Sequence, residues 1–282
     1  MKQEYKIGNL KLRNRVFLAP MAEMNDIAFR LLCKNAGCGL TYTGMINPRT
    51  EQKLILDDKP AIQLFCVNDV GVEKFIKKYD KKASLFDFNL GCPSKVARRI
   101  GFGAFMNHRF DDIEKILIAM RRATKKPITI KLRKTKNVWK ILKIAEKYCD
   151  AVCIHPRTIQ QGYSGLPDVE FALRLKKKIK IPVIYSGNVN EKNSEELLKK
   201  FDFVITGRAA LGNPGIFAKL TGKKTNFDFS GYLKLALKYK LYFSQIKLQA
   251  MNFTKAKNNA AELREKLVKC KTLNEIKKVM SV

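Results

Sequence analysis

The sequence contains no long apolar segment. Although 46% of its 282 residues are hydrophobic, no stretch approaches the roughly 20 uninterrupted apolar residues that a membrane span needs. The first residues also lack the apolar core of a secretory leader. We therefore expect a cytoplasmic protein with no membrane partner. The length suits either one closed α/β barrel or two ordinary domains.

The cysteines do not fall into recognisable pairs. There are seven of them, and an odd number argues against a disulfide framework. Neither Cys33 with Cys38 nor Cys149 with Cys153 has the two-residue spacing of a zinc knuckle. We assign these four residues to the core and expect no metal.

Acidic residues are scarce relative to basic ones. The chain has 56 Lys and Arg against 25 Asp and Glu, a formal net charge of +31, which favours a polyanionic partner. The lysine-rich composition of heat-adapted proteins is an alternative explanation, but it normally raises Glu alongside Lys. Charge alone does not distinguish tRNA, rRNA, DNA and anionic lipid.

Short β-like runs alternate with helical patterns along most of the chain. Several runs are continuously apolar or β-branched, as is typical of parallel strands buried on both faces. They occur at 16–19, 40–43, 61–65, 85–89, 128–132, 151–155, 183–186 and 203–206. Eight such units predict an α/β fold, the (β/α)8 TIM barrel, whose active site lies at the carboxyl ends of the strands.

One cysteine follows the fourth run in a turn of unusual composition. Residues 89–93 are Asn-Leu-Gly-Cys-Pro. Gly91 allows backbone torsions that other residues avoid, and Pro93 removes an amide donor. The turn can therefore hold the Cys92 side chain above a ligand, as a catalytic residue requires. A buried structural cysteine is the alternative interpretation.

Glycines follow the last two runs. Gly187 with Asn188, and Gly207 with Arg208, resemble the phosphate site that many barrels build after their seventh and eighth strands. Open backbone amides and the forked charge of Arg208 would bind a phosphate. Two glycine turns and a surface arginine are the alternative. As a pair, the two turns predict a phosphorylated cofactor.

Two polar residues within other runs suit a flavin ring. Lys131 would stabilise negative charge near N1 and C2 of a reduced isoalloxazine, and Gln63 would hydrogen-bond the pyrimidine edge of the ring. Flavin mononucleotide (FMN) fits both. For Lys131, a Schiff base or a structural salt bridge stays open.

The pattern changes near the carboxyl terminus. From Tyr232 onward no β-like run occurs, and aromatic and aliphatic residues recur at helical spacing. Thr272 with Glu275 predicts a helix capping box. We predict a TIM-barrel catalytic domain over 1–225 and a small all-helical domain over 226–282. The aromatic stripe indicates core packing more than nucleobase stacking.

Several short motifs follow one another in order. They are Pro20-Met21 with Phe29-Arg30, Asn-Leu-Gly-Cys-Pro at 89–93, Gly-Phe-Gly-Ala at 101–104, Lys-Leu-Arg at 131–133, His-Pro-Arg-Thr at 155–158, Tyr-Ser-Gly at 163–165, and Gly-Arg-Ala-Ala-Leu-Gly-Asn-Pro at 207–214. Together they resemble the signatures of the tRNA-dihydrouridine synthase family. The resemblance runs to about residue 217 and is only general over the tail. It implies FMN as cofactor, NADPH as reductant, a uridine of tRNA as substrate, and a tRNA-binding role for the helical domain over 226–282.

The resemblance also assigns roles to individual residues. With the phosphate motif, it implies cofactor contacts from Pro20, Met21, Gln63, Lys131, His155, Gly187, Asn188, Gly207 and Arg208. It makes Cys92 the proton donor, makes Asn89 and Tyr163 contacts to the target uracil, and places Arg157 close to the substrate. We expect the protein to act as a monomer.

The chemistry of the residues is consistent with this reaction. Reduction of the uracil C5–C6 bond needs a hydride at C6 and a proton at C5, and a thiol of ordinary pKa, about 8.5, is mostly protonated at neutral pH. Asn89 would stabilise charge at the uracil O4.

Two alternative functions stay open. One is a flavin oxidoreductase acting on a free pyrimidine, as dihydroorotate dehydrogenase does, but such an enzyme has no need of a charge of +31. The other is an RNA-binding module without chemistry.

Overall fold

A closed barrel of parallel strands forms the centre of the molecule. The computed structural model describes residues 4–222, 227–255 and 257–282. The barrel strands are β3 (Val16–Leu18), β4 (Tyr42–Ile46), β5 (Ala61–Leu64), β6 (Leu85–Leu90), β7 (Ile128–Arg133), β8 (Ala151–His155), β9 (Val183–Ser186) and β10 (Phe203–Thr206), after a hairpin of β1 (Tyr5–Ile7) and β2 (Leu10–Leu12). They pair in the order β3-β10-β9-β8-β7-β6-β5-β4, and a bridge between Phe17 and Leu40 joins the two edges. The predicted TIM barrel is confirmed.

Helices surround the barrel and continue into the tail. They are α1 (Ile27–Asn35), α2 (Val72–Tyr79), α3 (Lys95–Ile100), α4 (Phe110–Ala123), α5 (Val138–Tyr148), α6 (Val169–Lys178), α7 (Ser194–Lys200), α8 (Ile216–Leu220), α9 (Phe229–Lys238), α10 (Phe243–Phe253), α11 (Ala260–Lys269) and α12 (Leu273–Met280). On α2, the side chains of Val72, Phe75, Ile76 and Tyr79 are buried. That spacing places one apolar stripe against the sheet.

The strands carry side chains into two separate cores. All six residues of β6 are buried, because alternate side chains face the barrel interior and the surrounding helices. One core lies between the sheet and its helices. The other lies inside the barrel and includes Phe17, Tyr42 and Phe203.

Seven of the eight predicted strands agree with the structure to within one residue at each end. The exception is the prediction for 40–43, which was wrong in its bounds because the strand is Tyr42–Ile46 and Leu40 makes only an isolated bridge. The β4–β5 register is irregular between Tyr42 and Met45. A Cβ at Gly44 would lie 3.3 Å from the Met21 carbonyl oxygen, so the segments approach too closely for a regular apolar pattern there.

The β1–β2 hairpin covers the amino end of the barrel and was not predicted. Each strand has only three residues, too few to show an alternating pattern. Ile7 is fully buried and packs with the interior core. The hairpin therefore closes the end of the barrel opposite the predicted active site.

The described residues of the tail contain four helices, and the aromatic and aliphatic run that begins at Tyr232 is divided between the first two of them. Lys240 has a left-handed φ of 52° and separates α9 from α10. Tyr232 and Phe253 are buried and pack against Phe229, which confirms the core interpretation for these rings. Tyr242, between the two helices, is 80% exposed. The capping box of Thr272 and Glu275, Glu275 lying in the first turn of α12, is confirmed.

The division into two domains stays a prediction. Its boundary, between residues 225 and 226, lies outside the described residues. In the part of the chain that is described, no helix is long and apolar enough to cross a membrane. The same residues contain no cluster of three or more His, Cys, Asp or Glu side chains arranged to hold a metal ion.

Candidate active site

A cavity of about 1120 Å³ lies at the carboxyl end of the barrel, as expected for this fold. Twelve of the predicted site residues line it. They are Pro20, Met21, Asn89, Cys92, Lys131, His155, Arg157, Tyr163, Gly187, Asn188, Gly207 and Arg208. Gln63 is not among the described residues that line the cavity. The strand ends therefore bring together residues from the whole length of the barrel sequence.

The turn that carries Cys92 is held from several sides. The Asn89 Oδ1 accepts hydrogen bonds from the backbone N–H of Gly91 at 3.1 Å and of Cys92 at 2.9 Å. The Arg133 Nε donates to the Gly91 carbonyl at 2.8 Å. The turn is thus fixed before any ligand binds.

All seven cysteines lie in the described part of the chain; six are buried, whereas the Cys92 side chain is half-buried and faces the cavity. Its Sγ lies 3.4 Å from the Ser94 Oγ. A Cβ on Gly103 would lie 2.9 Å from the Cys92 Cβ, so only glycine fits behind the turn. The alternative of a buried structural cysteine does not describe this position.

Gln63 and Asp87 form a buried support beneath Asn89. The Gln63 Nε2 donates to Asp87 at 2.6 Å, and the Gln63 Oε1 accepts from the Asn89 Nδ2 at 2.7 Å. Thr129 also donates to Asp87. Burial raises the pKa of Asp87 to about 6. Gln63 thus orients Asn89, and its contact with a flavin stays a prediction.

His155 lies among four cations. Burial and the charges of Lys131, Arg133, Arg157 and Arg208 lower the pKa of His155 to about 2. The imidazole is therefore neutral. The Arg157 guanidinium lies 2.9 Å from the His155 Nε2 and can only donate, which assigns the imidazole proton to Nδ1.

Three arginines hold the loop that follows β8. Their guanidinium groups donate to backbone carbonyls along residues 158–165: Arg133 to Thr158 and Gly162, Arg157 to Ser164 and Gly165, and Arg208 to Tyr163. The Tyr163 ring lies 5.3 Å from the Arg133 guanidinium and 5.4 Å from that of Arg208, within cation–π range. The ring is 59% exposed, so it stands at the rim of the cavity.

Sequence reasoning missed the supporting roles of Asp87 and Arg133. Asp87 interrupts the otherwise apolar segment 85–88, and a carboxylate in a buried strand is a signal for a polar network. Arg133 is 1% exposed and bridges the Cys92 turn to the loop of Tyr163. No sequence pattern identified those carbonyl partners.

The two glycine turns form a recess that suits an anion. Among the described hydrogen bonds, the backbone N–H groups of Gly187, Asn188, Gly207 and Arg208 have no acceptor. Arg208 also donates to the Asn188 Oδ1 at 2.7 Å. A Cβ on Gly187, whose φ is +140°, would lie 3.1 Å from the Pro167 Cβ. Free amides beside an arginine match the chemistry of a phosphate.

Comparison with known proteins decides the family. The model of the family described as dihydrouridine synthase (Dus) matches residues 17–281. The chain belongs to the dihydrouridine synthase family. The match includes the helical tail, over which the motifs alone indicated only a general resemblance.

Individual relatives agree with this assignment. The chain is 33% identical over 240 residues to a probable tRNA-dihydrouridine synthase of Rickettsia bellii. The aligned region covers 76% of this chain and 73% of the relative. It is 30% identical to tRNA-dihydrouridine synthase B of Klebsiella pneumoniae, with 76% and 74% covered.

Solved structures of low sequence identity share the fold. An old yellow enzyme homologue from Zymomonas mobilis superposes with a TM-score of 0.62 at 10% identity, covering 81% of this chain and 95% of the other. Morphinone reductase superposes with a TM-score of 0.54 at 12% identity, covering 82% and 93%. Both similarities support the barrel architecture.

Proposed function

We propose that this dihydrouridine synthase reduces the C5–C6 double bond of a uridine in tRNA to 5,6-dihydrouridine, with FMN as cofactor and NADPH as reductant. When bound and reduced, FMN supplies the hydride that adds to C6. The observation that carries the proposal is the position of Cys92, whose thiol faces a cavity that also contains an anion recess and Lys131.

The residues of the cavity fit a phosphorylated flavin. The amides at Gly187, Asn188, Gly207 and Arg208 would hold the phosphate, as argued above. Lys131 is half-buried, lines the cavity and would place positive charge beside the ring. The neutral His155 keeps an Nδ1–H available as a donor, while Pro20 and Met21 supply apolar contact.

Cys92 supplies the proton. Its thiol would donate from Sγ to C5 of the uracil, and the Ser94 hydroxyl, 3.4 Å away, would then donate to the sulfur that has lost its proton. Asn89 uses one amide N–H for Gln63 and retains a second, because a primary amide has two. That second N–H would stabilise charge at the uracil O4.

The rim of the cavity supports an RNA substrate. Lys95, Arg98 and Arg99 on α3 are exposed, and Val96 and Ile100 of the same helix line the cavity. A stacked uridine must be turned out to reach Cys92, at a cost of a few kcal/mol. Cationic contacts to the phosphate backbone would offset that cost.

The direct test is removal of the thiol. Protein with FMN and NADPH is incubated with unmodified tRNA, and dihydrouridine is measured by mass spectrometry. Cys92→Ala should bind FMN normally and lose about 10²–10⁴-fold in rate, the usual contribution of a general acid.

The matched control is Cys270→Ala, which removes a buried thiol from the tail. It should retain the rate. Full turnover by Cys92→Ala would remove this residue from the mechanism. Reduction of free uracil or oxidation of dihydroorotate in place of tRNA turnover would favour the alternative, a free-pyrimidine oxidoreductase.

A further inference from the structure

Helix α10 of the tail reaches the carboxyl end of the barrel through two glutamines. Gln245 and Gln249 are four residues apart and therefore lie on the same face of the helix. The Gln245 Nε2 donates to the Glu23 carbonyl at 2.6 Å. The Gln249 Nε2 donates to the Met24 carbonyl, also at 2.6 Å. Each glutamine thus holds one peptide of the loop after β3.

Both glutamines share a second acceptor in the same loop. The Asp26 Oδ2 accepts from Gln249 at 2.9 Å, from Gln245 at 3.2 Å and from the Tyr232 hydroxyl at 3.3 Å. The other oxygen of Asp26 caps α1 by accepting from the Phe29 N–H at 2.9 Å. The Asp26 carboxylate therefore joins the tail, the loop and the first barrel helix.

The loop held in this way is a wall of the active-site cavity. Residues 21–24 all line it, beside Gly207 and Arg208. Glu23 has a left-handed φ of 63°, a conformation that costs roughly 1 kcal/mol or more for a residue with a Cβ. Such a conformation persists only where neighbouring contacts determine it. The Met24 N–H closes a turn onto the Met21 carbonyl at 3.3 Å, and the side chains that bind the Glu23 and Met24 carbonyls come from α10.

A second contact places α10 against the last loop of the barrel. A Cβ on Gly212 would lie 2.0 Å from the Asn252 carbonyl oxygen, and Gly212 has a φ of +71°. No other residue type fits this approach. Gly212 follows directly after Leu211, which lines the cavity. The same helix therefore packs behind two segments that line the cavity: residues 21–24 and the loop after β10.

We propose that α10 is part of the cofactor site, with Gln245 and Gln249 as positioning residues that hold the 21–24 wall in the shape that binds the flavin. The proposal rests on FMN being the cofactor, as argued under the proposed function. It gives the helical tail a role at the barrel mouth in addition to any contact with RNA. Displacement of α10 would loosen the wall without changing any residue that touches the cofactor.

The test measures FMN affinity of the full-length protein. Flavin is removed, and FMN is titrated back while its fluorescence is followed. Gln249→Leu keeps a side chain of similar size and loses both hydrogen bonds, and we expect the dissociation constant for FMN to rise about tenfold. Gln245→Leu, at a half-buried position, should act in the same direction and provides a second variant if Gln249→Leu folds poorly.

Two controls separate positioning from general stability. Ser244→Ala changes an exposed residue of the same helix and should leave the affinity unchanged. Ile276→Val removes one methylene from the tail core, which lowers the melting temperature without touching the loop, and should also leave the affinity unchanged.

Each outcome has a definite meaning. Wild-type affinity in both glutamine variants would overturn the positioning role and leave the proposed function intact. An equal loss in Ile276→Val would also overturn it, because tail stability would then be responsible. If the wild-type protein itself binds no FMN, the proposed cofactor fails, and the positioning role fails with it.

Discussion

The cations that line the cavity at the carboxyl end of the barrel are paired differently from cations at its amino end. At the amino end, Arg121 pairs with Asp150 at 2.6 Å and Lys176 pairs with Asp202 at 2.9 Å. At the carboxyl end, none of the ion pairs among the described residues includes Lys131, Arg133, Arg157 or Arg208. The three arginines hydrogen-bond to carbonyls, a side-chain amide and an imidazole.

The difference supports the carboxyl end as the proposed ligand site. A carbonyl oxygen accepts hydrogen bonds from a guanidinium but leaves its positive charge in place, whereas a carboxylate neutralises that charge. The amino end has a cavity of about 410 Å³, yet Glu4, Asp202 and several cations share it. The carboxyl end keeps an excess of positive charge that a phosphate and a nucleic acid can neutralise.

The sharpest test of this comparison exchanges arginine for lysine at each end. Arg133 donates to one carbonyl of the Cys92 turn and to two carbonyls of the loop after β8. Arg133→Lys keeps the positive charge but loses the forked guanidinium that makes these contacts together. We expect the rate of tRNA reduction to fall about 100-fold, because catalytic groups shifted by about 1 Å lose that much. Steady-state kinetics would measure it.

Arg121 is the matched residue at the amino end, where it also donates to two carbonyls. Arg121→Lys should lower the free energy of unfolding by about 1 kcal/mol and leave the rate unchanged. If both variants reduce tRNA at the wild-type rate, the carbonyl contacts of Arg133 are only structural.

The second prediction concerns how the free energy of unfolding changes at acidic pH. His155 stays neutral in the folded protein because its pKa is lowered to about 2, whereas an unfolded histidine takes up a proton below about pH 6.5. The unfolded state therefore gains stability as the pH falls, by about 1.4 kcal/mol per unit below pH 6.5. Between pH 6.5 and 5 the wild-type protein should lose about 2 kcal/mol from this group.

The comparison variant is His155→Asn, which cannot titrate. Its free energy of unfolding, measured with urea at pH 6.5 and 5, should fall by about 2 kcal/mol less than that of the wild type. Asp87, whose raised pKa stabilises the folded state as the pH falls, is present in both proteins, so its effect cancels. If the wild type and His155→Asn lose the same free energy of unfolding between pH 6.5 and 5, the imidazole is not neutral in the folded protein.

The smallest predicted effect concerns RNA affinity. Each phosphate contact adds about 0.7–0.9 to the slope of log affinity against log salt. Replacing Arg98 and Arg99 on the rim by glutamine should reduce the slope for tRNA by about 1.5. Lys11→Gln at the amino-end hairpin, where Lys11 pairs with Glu4, should leave it unchanged. Equal slopes for rim and hairpin variants would mean that the charge acts without a preferred face.

Much of the site could be predicted because strand ends converge in a barrel. Cys92, Lys131 and Arg208 follow or end apolar runs, and the fold brings their side chains to one cavity. Gln63 illustrates the limit. Its position in a strand indicated a flavin contact, which stays a prediction, and nothing in the sequence indicated that its amide also joins Asp87 to Asn89.

The tail shows the same limit. The helical spacing indicated amphipathic helices, and Tyr232 and Phe253 are buried as that pattern predicts. The contacts of Gln249 with Met24 and Asp26 link positions more than 220 residues apart. A polar residue on a helix gives no sign in sequence of which distant loop it will hold.

The amino-acid sequence by itself determined the alternation of strands and helices, the excess of positive charge and the glycines and cysteine at the strand ends, because these depend on local periodicity and composition. The tertiary structure alone decided which cations stay unpaired, which carbonyls the arginines bind and which loop α10 supports. Those features depend on distances between segments far apart in the chain, and such distances are set only when the barrel closes and the tail packs against it.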